Sequence, residues 1–134
     1  MLTRRGFVGC ALCAVAGFSA TAADAQSVQT PGLKRTLLSR TDGPAPGYET
    51  IEAKVEIDAG SVVARHTHFG IETSYVIEGG LELEIQGAEP KAYAAGQGFQ
   101  IPTGVPHGGK TGDKPTTLLG VYVVEKGKPL ATPA

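Results

Sequence analysis

From Tyr48 onward apolar and polar residues alternate. Ile51, Ala53, Val55 and Ile57 share one face, and Glu52, Lys54, Glu56 and Asp58 share the other. That period of two marks a strand with one wet side. Asp58-Ala59-Gly60 turns the chain, and Ser61 to Thr67 reads as the next strand, followed by Thr73 to Glu78. Gly79-Gly80 is a two-residue turn able to take positive φ. Leu81, Leu83 and Ile85 then alternate with Glu82, Glu84 and Gln86, which predicts a hairpin across that turn. Gly87 to Pro90 turns again. Lys91 to Ala95 and Phe99 to Ile101 read as short strands around Gly96-Gln97-Gly98, and Thr116 to Glu125 as a long last strand. Upstream, Leu33 to Ser39 reads as a first strand, paired at an edge or with a second subunit. The Gly- and Pro-rich loop Thr41 to Gly47 follows it. Turn signals about every ten residues, with no helical period, predict an all-β sandwich or barrel.

Composition agrees with this picture. The chain has 134 residues, enough for a single domain, with 41% hydrophobic and 19% charged residues. It carries 19 Gly and 9 Pro, which favours turns and short strands over helices. The formal charge is -1 and no basic block occurs, so nucleic acid is not an expected partner.

The first residues belong to targeting rather than to the fold. Thr3-Arg4-Arg5-Gly6-Phe7-Val8 resembles a twin-arginine export motif, an apolar run continues to about Ala20, and Ala23-Asp24-Ala25 fits small-x-small cleavage. The run is roughly 13 residues, against about 20 for a membrane span. The expected organisation is therefore a cleavable signal over 1–25, a leader and first strand over 26–47, a barrel over 48–125 and a tail over 126–134. The expected location is periplasmic or secreted, with no membrane contact after cleavage. Cys10 and Cys13 are spaced as Cys-x-x-Cys but sit in the apolar core of the signal. The mature chain then has no cysteine, hence no thiolate ligand or nucleophile.

The chemistry gathers in two stretches. His66, His68 and Glu72 lie between Gly60 and Gly79; His107, the last of the 3 histidines, ends the stretch from Gly96. Along a strand, His66 and His68 project from the same face with Cα atoms roughly 6.6 Å apart, which suits two adjacent ligands on one ion. Gly70 lets the chain bend across to the neighbouring strand, and the turn Pro102-Thr103-Gly104-Val105-Pro106 fixes the direction of His107. Three imidazoles and a carboxylate suit one divalent transition metal: Mn, Fe, Co, Ni, Cu or Zn. Glu72 reads either as a direct ligand or as a general base beside the ion. Elsewhere, Tyr75, Tyr93 and Tyr122 read as strand residues covering apolar faces, with contact to a substrate as the lesser alternative. Phe99, Ile101, Val76 and Val123 read as barrel lining, and Gln100 as facing either a ligand or water. Lys110, Lys114, Lys126, Lys128, Glu82 and Glu84 read as solvated.

These residues resemble the cupin superfamily. Its first motif runs Gly, five residues, His-x-His, three or four residues, Glu, six residues, Gly, and is matched by Gly60, His66, His68, Glu72 and Gly79. Its second runs Gly, five or more residues, Pro-x-Gly, two residues, His, three residues, Asn, and is matched by Gly96, Pro102, Gly104 and His107. Thr111 stands where Asn is usual, and that Asn is not a metal ligand in the family. The resemblance covers Tyr48 to Glu125. It implies a single-domain double-stranded β-helix, the RmlC-like jelly-roll barrel, with a metal held in its mouth by residues like His66, His68, Glu72 and His107. Homodimers are common among such proteins, and a small molecule is the expected partner.

The expected activity is that of a quercetinase-like or other small-molecule dioxygenase. The metal would take a bidentate enolate or catecholate beside O2, and Glu72, swung off the ion, would accept the substrate proton. Three alternatives stand beside it: a metal-dependent isomerase or lyase, a periplasmic cupin that holds metal or ligand without turnover, and a metal-free structural or sugar-binding barrel. One fold hosts all of these.

Overall fold

The computed structural model describes residues 30–134. The expectations for the export motif, the cleavage site, Cys10 and Cys13 lie outside the described residues. Among the described residues there are ten strands: β1 (Leu33–Asp42), β2 (Tyr48–Ile57), β3 (Val62–Thr67), β4 (Gly70–Glu78), β5 (Gly80–Ile85), β6 (Lys91–Ala94), β7 (Gly98–Ile101), β8 (His107–Thr111), β9 (Thr116–Glu125) and β10 (Thr132–Pro133). They form two antiparallel five-stranded sheets, ordered β1-β2-β9-β4-β7 and β10-β3-β8-β5-β6. This is the all-β double-stranded β-helix expected from the alternation.

Alternation decides what lies between the sheets. On β2, Ile51, Ala53, Val55 and Ile57 are buried, as their period requires. β9 buries Thr116, Leu118, Gly120, Tyr122 and Val124 in the same rhythm, and β4 buries Gly70, Glu72, Ser74 and Val76. Val55, Ile57, Val76, Leu81, Leu83, Phe99, Ile101 and Leu118 form the main apolar cluster. A smaller one joins Ile51, Ala53, Tyr122 and Val124. The inward polar pair Glu72 and Ser74 therefore sits on an otherwise apolar wall.

Several expectations change. Gly79-Gly80 does not close a hairpin: β4 and β5 belong to different sheets. Gly79 carries the chain from one sheet to the other at a φ of 76°, and a Cβ there would lie 2.2 Å from the Pro115 carbonyl oxygen. The crossing keeps both Val76 and Leu81 in the core. β4 begins at Gly70, so Gly70 is already a ladder residue, opposite Val124, and not a connecting bend. Val123 faces outward, opposite Ile71 on the outer side of β4, and does not line the barrel. Gln100 also lies on the outer side, donating to Thr73 Oγ1 at 3.3 Å. Tyr75 is half exposed, whereas Tyr122 is buried against the smaller cluster.

The end of the chain returns to the barrel. Thr132 and Pro133 pair with Thr67 and His66, the Thr132 and Thr67 hydroxyls lie 2.9 Å apart, and Ala131 is fully buried. At Thr111, the hydroxyl accepts from the Ser61 amide at 2.9 Å and donates to the Asp58 carbonyl at 2.6 Å. It ties β8 to the turn that begins the first histidine stretch.

Candidate metal centre

His66 and His68 come from the end of β3 and the residue just past it, Glu72 from β4, and His107 from the first position of β8. Register explains the meeting. His66 pairs directly with His107 across β3 and β8, while Glu72 reaches in from the facing sheet. All four side chains are buried, and their donor atoms lie within 4.8 Å of one another. The three imidazole centroids are separated by 4.9, 4.3 and 5.0 Å. The four residues that the spacing singled out are thus in one place.

The hydrogen bonds show which ring nitrogen faces the centre. His66 Nδ1 donates to the Ala64 carbonyl at 2.7 Å, His107 Nδ1 to the Val105 carbonyl at 2.9 Å, and His68 Nδ1 to the Leu130 carbonyl. A carbonyl only accepts, so each Nδ1 carries a proton and each Nε2 is the nitrogen turned toward the cluster. Metal-binding histidines are oriented in this way. The Nε2 of His107 is buried and lacks a hydrogen-bond partner, although Glu72 Oε2 lies 3.3 Å away. Glu72 Oε2 also sits 2.8 Å from His68 Nε2, while Glu72 Oε1 accepts from Ser74 Oγ at 2.6 Å. Ser74 fixes one carboxylate oxygen and turns the other toward the imidazoles.

Electrostatics favours a cation here. Burial lowers the His66 imidazole to about 4, against the bond to Ala64, and His107 and His68 push the same way as burial. The ring is neutral at neutral pH, as a metal ligand must be. Burial raises the Glu72 carboxyl, but His107, His68 and Ser74 outweigh it and hold the group well below the usual carboxylate range. Three imidazoles aimed inward by their Nε2 atoms, one carboxylate and an orphaned inward nitrogen together fit a divalent metal.

A cavity of about 40 Å³ adjoins the centre. His66, Glu72 and His107 form its polar end, Leu81, Leu83, Phe99 and Leu118 its apolar floor, and Arg35 and Tyr122 complete the wall. Tyr122 pairs with Glu72 across β9 and β4, and its ring packs edge-on to His68 with centroids 5.2 Å apart. Burial raises its phenol, as does the Glu72 charge, while Arg35 pulls the other way. The hydroxyl therefore keeps its proton at neutral pH.

Sequence reasoning missed three contributors and ranked a fourth low. Arg35 lies in phase with Leu33 on β1, a charged residue on an apolar stripe. Ser74 lies in phase with Glu72. Both signals were present in the alternation. Tyr122 reads chiefly as apolar cover, with substrate contact the lesser alternative. The Leu130 carbonyl left no mark, because a main-chain acceptor has no residue preference.

A family model described as a cupin domain matches residues 53–122. Comparison with curated proteins returns no match. Among solved structures, an RmlC-like cupin from Shewanella frigidimarina is 25% identical, with a TM-score of 0.57 over 72% of this chain and 79% of that one. The polyketide cyclase RemF from Streptomyces resistomycificus is 22% identical, with a TM-score of 0.64 over 81% of this chain and 75% of that one. The DMSP lyase DddQ from Ruegeria pomeroyi is 22% identical, with a TM-score of 0.65 over 76% of this chain and 51% of that one.

Proposed function

The chain belongs to the cupin family, and from that premise we propose that it is a metal-dependent lyase or isomerase acting on a small substrate without O2. His66, His68, Glu72 and His107 would hold the ion. A bound divalent ion would supply Lewis-acid polarisation of a substrate oxygen.

The observation that carries the reading is what borders the donor set. The cavity of about 40 Å³ is small and lined mostly by apolar side chains. That suits one end of a small molecule better than the fused rings of a flavonol. The polar groups on its wall move or hold protons. Tyr122 retains its phenolic proton and can donate a hydrogen bond to an oxygen that gains negative charge. Glu72 has one oxygen held by Ser74 and the other turned toward His68 and His107. That favours its service as a ligand over the proton-accepting role expected for it. Two proteins sharing the fold are named a lyase and a cyclase, which is consistent with such chemistry on this scaffold.

A dioxygenase is the second reading. The three-imidazole, one-carboxylate set favours it, because these donors take redox-active Mn, Fe, Ni or Cu as well as Zn.

The test is turnover of a panel of small hydroxy and oxo acids, flavonols and β-diketones by protein loaded separately with Mn, Fe, Ni and Zn, each in air and under argon. Equal metal-dependent rates in both atmospheres support the lyase or isomerase. Turnover confined to air, with O2 consumed, establishes the second reading. One ion per chain and no turnover on any substrate would return the protein to a metal-holding role.

A further inference from the structure

Arg35 is a charged residue of the cavity that the donor set does not use. It projects from β1 in phase with Leu33, opposite Val55, and lines the cavity with Glu72, His66 and Tyr122. Its Nε is buried and has no hydrogen-bond partner. Among the described residues no carboxylate pairs with it. Glu49 pairs with Arg40, Glu56 with Lys54, Glu82 with Lys110, Asp42 with Lys126, and Glu72 with His68 and His107. Of the chain's acidic side chains, only Asp24 lies outside the described residues.

A guanidinium is always protonated; Arg35 is half-buried, and shutting its Nε away from water without a partner is costly. Its flat fork of donors matches a carboxylate, which can take two parallel hydrogen bonds. The Tyr122 hydroxyl lies within the electrostatic reach of the same guanidinium, so a bound carboxylate oxygen would meet a second donor. A phosphate fits less well. A doubly charged group there would face the Glu72 carboxylate at closer to twice the electrostatic cost of a singly charged one.

We infer that Arg35 is the carboxylate-binding residue of this site, and that its substrate is a small carboxylic acid whose acid group rests on Arg35 while the remainder reaches toward His66, Glu72 and His107. This rests on reading the donor set as the metal centre of an enzyme. Apolar Leu81, Leu83 and Phe99 would cover the substrate carbons.

The test uses the full chain loaded with zinc, with propionate as the probe and propionamide as its uncharged twin, titrated by ligand-observed NMR. Zinc content is measured in parallel. Propionate should bind at least about 10-fold more tightly than propionamide. Arg35→Met should weaken propionate by about 10- to 100-fold while retaining zinc, since hydrogen bonds to a charged group are worth that much. Arg35→Lys should fall between, keeping the charge but losing the fork. Equal binding of propionate and propionamide by the wild-type protein would overturn the inference without any variant. So would a zinc-loaded Arg35→Met or Arg35→Lys that binds propionate as the wild type does; the acid group would then sit on the metal alone. A wild-type chain that takes up no zinc would bring down the metal centre itself, and the inference with it.

Discussion

Gly70 offers a sharp test of how the centre is built. It stands on β4 between His68 and Glu72, opposite Val124 on β9. Its φ is not in the left-handed region, so backbone conformation alone does not demand glycine. By propensity, Gly70→Ala within a strand should stabilise by about 0.5–1 kcal/mol. The neighbouring strand forbids it. An added Cβ would lie 1.9 Å from the Val123 carbonyl oxygen, 2.6 Å from Val124 Cα and 2.8 Å from Val123 C. These are main-chain atoms of a central strand and cannot rotate away. Ordinary contact needs about 3.5 Å, so β4 and β9 must part by roughly 1.5 Å at this point. Ladder bonds near 3 Å do not survive that opening. Losing two of them, with part of the penalty for leaving buried groups unpaired, costs about 3–5 kcal/mol. The same opening displaces Glu72 from ion bonds of about 2 Å, so zinc affinity should fall together with stability. Urea unfolding in EDTA, followed by competition for zinc with a chromophoric chelator, reads both. Gly112→Ala is the control: its Cβ would meet nothing within 4 Å and its φ is not left-handed, so it should be neutral or slightly stabilising. A Gly70→Ala protein within about 0.5 kcal/mol of wild type, or one that shifts like Gly112→Ala, would refute the close-approach account; the smallest cost calculated above is several times larger.

Other outcomes follow from the same geometry. Glu72→Gln keeps the shape and the Ser74 contact but removes the only acidic donor of the cluster; zinc affinity measured against a chelator should fall by about 100-fold or more, and a loss below about 10-fold would place Glu72 outside the coordination sphere. Thr111→Val conserves volume but strips the bonds to the Ser61 amide and the Asp58 carbonyl; urea unfolding should show a loss of about 1–3 kcal/mol, and no loss would mean that water replaces the hydroxyl. Zinc at 100 times its dissociation constant should stabilise the chain by about 2.7 kcal/mol, reversibly with EDTA, and an unchanged melting temperature would remove the metal centre.

The legible parts of this protein are those with local causes. The alternation from Ile51 to Ile57 reports a strand with one wet face because that face really meets solvent. The His-x-His pair and the later histidine share a site because strand period and the two motifs fix their directions. What escaped has distant causes. Gly79-Gly80 has the local chemistry of a hairpin turn, and only the pairing of β5 with β6 and β8 turns it into a crossing between sheets. β8 was missed because Gly108 and Gly109 look like loop. They are glycines because the strand is squeezed: a Cβ would lie 2.9 Å from the Val63 carbonyl oxygen at Gly108 and 2.7 Å from the Glu82 carbonyl oxygen at Gly109. Arg35 escaped because a lone Arg on a short strand reads as an edge charge until the second sheet is placed against it.

The histidines divide along the same line. His66 and His107 each donate to the carbonyl two residues before them, Ala64 and Val105. Those bonds form within a few residues, so the motif carries its own orientation for these two rings. His68 is different. Its Nδ1 donates to the Leu130 carbonyl, 62 residues away, on a segment that supplies no metal donor. That segment is held by Ala131 in the core, by Leu130 against the smaller apolar cluster and by the pairing of Thr132 with Thr67. The apolar burial of the tail therefore orients one imidazole: without the carbonyl, nothing would hold the His68 proton on Nδ1. A donor set that looks complete within two short motifs is complete only once the last strand has docked.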